Sequence, residues 1–268
     1  MALVRTLAVI PHLVRMFVRT KLEYPGALVL SWVSQAVSYG SMYTAIALIV
    51  ARFGTLGGWS WSEIALLLSF HLLAYSTGAS FSFTQFRVME DLVRQGTMDA
   101  LLVKPISTWT YLVFSGFNIG YAGHVALAIG LMGWALTQVE VTWSFPLALY
   151  FIATLVSGAM VVCALMTMIG ATAMVFVRSR HLYSIFFGFW ELARYPITIF
   201  PLPIQVLLLT AVPLGFISTV PVSVILGKPV PMLGDFAGLA CVLAGPAMAG
   251  LAMLHWRWCL RNYQGAGG

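Results

Sequence analysis

The sequence predicts an all-α integral membrane protein built as one domain over residues 1–268, and three observations carry that prediction. Hydrophobic residues make up 60% of the 268 and charged residues only 8%, too little polar surface to cover a soluble globule of this length. The apolar residues fall in lipid-crossing stretches, and at about 20 residues per span the chain holds roughly six, with short loops between them. The cations flank these stretches. A net charge of +6 so distributed points to membrane topology rather than to nucleic acid. No length remains for a soluble nucleotide-hydrolysing or sensor domain, which is expected on a separate chain.

Residues 1–24 place Arg5, His12, Arg15 and Arg19 in one sector of a helical wheel, with Leu3, Leu7, Ile10, Val14 and Phe17 largely elsewhere. This predicts an amphipathic helix on the inner membrane surface, with Pro11 as a candidate break. Arg15 and Arg19 interrupt any signal-peptide core, so the segment is expected to be retained. Spans are expected near Ala27 to Val50 and Trp61 to Phe81, joined by a loop bearing Gly and Trp. Two more follow at Trp109 to Leu136 and Pro146 to Phe176, with a turn through Thr137 to Ser144. A fifth begins after Arg180 and reaches about Ile199, and a last one covers Phe236 to about Trp256.

Residues 201–220 are long enough to cross but contain Pro201, Pro203, Pro213 and Gly215, with Pro221 following. Proline removes a backbone donor and breaks helices, so this stretch is expected to form two half-helices that enter the membrane and return. Charge counting supports re-entry. It leaves Arg5, Arg15, Arg19, Lys21, Arg87, Arg94, Lys104, Arg178, Arg180, Arg257 and Arg261 inside, against Arg52 and Lys228 outside. A seventh crossing would export Arg257 and Arg261. The positive-inside rule therefore favours six spans, with both termini and residues 86–105 cytoplasmic and Trp59 and Lys228 external.

No catalytic constellation emerges. HExxH and GxSxG are absent, and Gly227-Lys228 is followed by Pro229, so it builds no phosphate loop. Cys163, Cys241 and Cys259 show no paired spacing and are expected to be buried thiols, with neither metal nor disulfide. No carboxylate lies at helical spacing beside any histidine, so the five histidines are expected to be structural.

Glu191 and Arg194, three residues apart, share a helix face. They suit either a polar site on a substrate path or a structural ion pair. Small polar and aromatic stripes suit either a pathway for an amphipathic molecule or helix-packing seams: Ser31, Ser34, Gln35, Ser38 and Ser41 in the first span, Ser69, Ser76 and Ser80 in the second, and Tyr183, Phe187, Trp190 and Arg194 in the fifth. The stripe Ala237, Cys241, Gly245 and Ala249 is expected to be a packing seam, since small residues let helices approach.

The charged island of residues 86–105 stands apart. Arg87 to Arg94 is expected to form a short helix offering Glu90, Asp91 and Arg94 to a cytosolic partner, with Val88, Met89 and Leu92 turned back to the membrane. Gly96 should end it, Thr97 should cap a second turn, and Pro105 should stop the run. Within the island, Gly96 to Pro105 reads GTMDALLVKP. It resembles the G-x-L-D-x-x-L-x-[KR]-P signature that follows the second span of ABC-2 type permeases, especially their DUF990-like branch, with Met98 replacing the usual Leu. Arg194-Tyr195-Pro196, Ile199-Phe200-Pro201, Val212 to Phe216, Pro221 and Leu226-Gly227 resemble that branch's later region.

The resemblance covers essentially the whole chain. It implies a non-catalytic permease half of a type V-like exporter in the bacterial cytoplasmic membrane, working beside a second permease, the same chain or a related one. Each half would rest on one subunit of a cytosolic ABC ATPase dimer that supplies the ATP and magnesium chemistry. It implies coupling through residues 85–95, here Arg87, Glu90, Asp91 and Arg94, a connecting helix at the amino terminus, and a path lined by spans one, two and five. A membrane-embedded lipid-modifying enzyme would need paired acids or a metal cluster, and an ion-coupled carrier more intramembrane acids than this sequence holds.

Overall fold

The computed structural model describes residues 2–265, with side chains from residue 10 onward, so Leu3, Arg5 and Leu7 lie outside the described side chains. The first helix, α1 (Ala2–Leu22), is amphipathic as expected but runs through Pro11 without a break. Leu13, Val14, Phe17 and Val18 are half-buried while His12, Arg15 and Arg19 stay exposed. It leads into α2 (Pro25–Phe53), which Pro25 opens with its preset φ. Gly54, at φ 83°, closes α2 by donating to the Val50 carbonyl at 2.7 Å.

The connection to α3 (Trp61–Ser80) is a tight turn in which Leu56 and Trp59 exchange both backbone hydrogen bonds. Gly57 and Gly58, both at positive φ, supply the backbone such a turn demands. A reciprocal cap starts α3. Ser60 accepts from the Glu63 amide, and the Glu63 carboxylate accepts from the Ser60 amide at 2.8 Å.

Nearly every α3 residue from Ile64 to Ser80 is buried, so this helix is the hub of the bundle. The later helices α8 (Ala122–Gln138) and α9 (Phe145–Phe176) pack around it, with α4 (Phe83–Arg87), α5 (Met89–Arg94), α6 (Thr97–Leu102) and α7 (Thr108–Ser115) between. The bundle is completed by α10 (Arg180–Leu192), α11 (Leu202–Leu209), α12 (Thr219–Ile225) and α13 (Ala237–Arg261).

The α9–α13 seam is close. A Cβ at Gly245 would overlap the Ser157 backbone, and Ser157 Oγ donates to the Cys241 carbonyl while accepting from the Gly245 amide at 2.8 Å. Ala237, Cys241 and Gly245 are buried there and Ala249 half-buried, so the expected small-residue stripe is indeed a packing seam.

Among the described residues, four segments are long and apolar enough to cross a membrane: Pro25–Phe53, Ile119–Gln138, Phe145–Phe176 and Gly234–Arg261. At 20 residues and about 30 Å, α3 has the length but carries Ser, His and Glu.

Several boundaries depart from expectation. The third apolar stretch is not one helix from Trp109 to Leu136: it breaks at Gly116 to Asn118, where the Gln85 side chain occupies the space a Cβ on Gly116 would need and Asn118 donates its amide to the Ser80 carbonyl. The fifth ends at Leu192, not near Ile199. Its 13 residues are followed by Pro196 and a 3-10 turn over Ile197–Ile199. Proline 196 lacks the amide a continuing helix needs. Residues 201–220 form α11, a turn over Leu214–Ile217, and the beginning of α12.

The island is two helices hinged at Val88, not one from Arg87 to Arg94. Val88 is exposed instead of facing inward, while Met89 is fully buried. Gly96, left-handed at φ 70°, ends α5 and precedes α6. Thr97 does not cap α6 but donates its hydroxyl back to the Leu92 carbonyl at 3.2 Å.

Candidate functional site

The helices place two sets of loops at opposite ends of the bundle. At one end, Lys228 Nζ donates to the Gly58 carbonyl at 3.0 Å and pairs with Glu63 at 2.9 Å, and its ammonium lies 4.7 Å over the Trp59 ring. At the other end, α4 and α5 pack on α9 near its close. Phe86 fills the space a Cβ on Gly170 would need and meets the Trp256 ring edge-on.

The island's charged residues are engaged within the chain to unequal degrees. Glu90 Oε2 accepts the Ser179 amide at 2.9 Å and the Arg180 amide at 2.8 Å, so its carboxylate caps the first turn of α10. The Arg180 amide first, and the Ser179 amide with it, hold its pKa below the usual carboxylate range against the opposing effect of partial burial. Asp91 bridges Arg180 at 2.8 Å and Arg94 at 3.2 Å. Arg94 is 66% exposed on its side chain, and Arg87 lies over the Phe83 ring at 5.5 Å while remaining exposed.

The Glu90 and Asp91 carboxylates thus reach α10 while staying half-exposed, and the Arg87 and Arg94 guanidinium groups are exposed. The first-turn amides of α10 have no intrahelical acceptor, and the island supplies one.

The aromatic face of α10 is packed against the hub. Tyr183, Phe186 and Trp190 are buried and Phe187 half-buried. Phe187 meets Tyr75 and Phe83, and Trp190 stacks on His71 with 3.5 Å between ring centroids. His71 Nε2 donates to the Trp190 carbonyl at 3.1 Å. Beyond it, Arg194 is 7% exposed, ion-paired to the exposed Glu191 as the spacing suggests, and lies 5.9 Å from the Tyr39 ring.

The other stripe residues divide the same way. Ser76 is buried with its hydroxyl on the Leu73 carbonyl. Ser38 is exposed, and Gln35 donates to Ser31 Oγ at 2.9 Å. Trp190, Glu191 and Arg194 therefore meet α2 and α3 in one polar-aromatic cluster, whereas Gln35 opens onto a different cavity.

Sequence reasoning missed Gln85, whose Nε2 donates to the Val113 carbonyl at 3.0 Å, and the elbow it supports. The signal was present in Gly116-Phe-Asn-Ile-Gly120, a breaker cluster inside an apolar run.

A model of the family described as ABC-2 family transporter protein matches residues 36–267. The chain belongs to the ABC-2 transporter family. No curated protein and no solved structure matches it. The matched range of this ABC-2 permease begins within α2 and takes in the island, the α10 cluster and α13. As a member it is a multi-pass membrane component of an ABC transporter, of a kind that is generally non-catalytic and normally works with an ABC ATPase.

Proposed function

We propose that this protein is the permease half of an ATP-driven exporter and that the island of residues 86–105 is its docking surface for a cytosolic ATPase dimer. The observation that carries this reading is the division of the island's charges. Arg87 and Arg94 face out where a partner can reach them, while Glu90 and Asp91 tie the same element to α10, so force on the island moves α10 and its Trp190–Arg194 cluster.

The chain then crosses six times with cytoplasmic termini in a bacterial inner membrane, and residues 201–220 re-enter. A second permease, the same chain or a related one, completes a path for a hydrophobic or amphipathic cargo. In that path the exposed Ser38 and Glu191 face the second permease, while Ser76, Tyr183, Phe187, Trp190 and Arg194 build and stiffen the wall. ATP and magnesium belong to the partner.

Hydrogen exchange of the full chain, with and without its ATPase, tests the reading. Protection should rise across residues 86–105, and Arg94→Glu should reduce both that footprint and ATP hydrolysis by the complex. A footprint confined to the Lys228 end would overturn it.

A further inference from the structure

A cavity of about 600 Å³ opens where α1, the first turns of α2 and the elbow before α8 meet, within the roughly 300–1,000 Å³ of small-molecule sites. Its polar lining includes Lys21, Gln35, Tyr75, Asn118, Tyr121 and His124. Lys21 is the only charged side chain among the lining residues. Two buried atoms at this cavity have no hydrogen-bond partner among the described residues: Gln35 Oε1 and His124 Nδ1, the latter on a residue only 8% exposed. Buried polar atoms are unfavourable when left unpaired, so their convergence on one cavity marks what an occupant has to supply.

The donors and acceptors narrow that occupant. The Lys21 ammonium and the Tyr121 hydroxyl can donate to an anion. Gln35 Oε1, an amide oxygen, can only accept, and it has no partner among the described residues. An occupant carrying both anionic oxygens and a hydroxyl satisfies each. Position narrows it further: the exposed Tyr24 immediately precedes Pro25, the first residue of a membrane-crossing helix, and the exposed Lys21 lies four residues before it, so this side of the cavity lies at headgroup level. Basic pockets between helices at this level suit phosphate headgroups.

We propose that this cavity binds a hydroxyl-bearing phosphate ester, presented as the headgroup of one anionic membrane lipid, with Lys21 on the phosphate and Gln35 Oε1 on a headgroup hydroxyl. The site is independent of ATP and of the docking surface.

The test is native mass spectrometry of the full chain in detergent, titrated with phosphatidylglycerol, with phosphatidylcholine, or with free glycerol 3-phosphate. Phosphatidylglycerol should form a one-lipid adduct that phosphatidylcholine does not match. Lys21→Gln, a change at an exposed position, should weaken it about tenfold through loss of one charge-assisted contact. Gln35→Leu should weaken it as well. Lys104→Gln, which removes a cation resting on the Tyr111 ring at 3.9 Å, should leave it unchanged. Displacement by millimolar glycerol 3-phosphate would assign the site to soluble esters of the same chemistry; failure to displace assigns it to the lipid. Equal adducts with both lipids, or equal losses in the Lys21 and Lys104 variants, would overturn the proposal.

Discussion

Replacing Glu90 should free the first turn of α10. Its carboxylate oxygen accepts two backbone amides, from Ser179 at 2.9 Å and Arg180 at 2.8 Å. Charge-assisted hydrogen bonds contribute about 1.5–3 kcal/mol each, and the half-exposed carboxylate places both near the lower end. Glu90→Ala should therefore lower the local opening free energy by about 3 kcal/mol, raising exchange at the Ser179 and Arg180 amides about 100-fold. Glu90→Gln keeps a neutral acceptor and should show roughly half that loss, about tenfold.

The sign with pH follows from the depressed pKa of Glu90. The clamp is complete above the carboxylate's unfolded pKa and is lost as pH falls through its lower folded value. Protection factors at residues 179–180 should accordingly fall in acid for the parent and stay flat for Glu90→Gln. Unchanged protection in Glu90→Ala, or an equal loss in Arg94→Ala, would refute the assignment of Glu90 as the clamp.

Other outcomes follow from the same geometry. Gly245→Ala should push α13 off the Ser157 backbone and cost about 1–3 kcal/mol, read as a lower thermal midpoint in detergent. Glu63→Ala should lose the carboxylate half of the α3 capping box and the Lys228 pair, costing about 1–2 kcal/mol, while Glu63→Gln retains part of it. Single cysteines at 59 and 228 should label from the outer face and one at 94 from the inner face; labelling of 228 from the inner face would reject the six-span topology. The purified chain should neither bind nor hydrolyse ATP until its ATPase is added, as equilibrium dialysis and phosphate release would show.

Composition and spacing by themselves determined the membrane class, the amphipathic α1, the α2 and α9 spans, the small-residue seam of α13 and the separate standing of residues 86–105. Each depends on a local property: apolar length, a period of 3.6, or the backbone demands of Gly and Pro. The Glu191–Arg194 pair was legible for the same reason, because three residues along a helix fix its geometry. Only the tertiary structure decided that Glu90 caps α10, because its partners are backbone amides 89 and 90 residues away that no side-chain pattern reveals. It alone decided that α3 is the hub, since Ser, His and Gly positions read as lining or as seam until neighbouring helices are in place. The elbow at Gly116 follows suit. Its breaker residues permit a bend, but the Gln85 side chain wedged against them makes that bend the packed state.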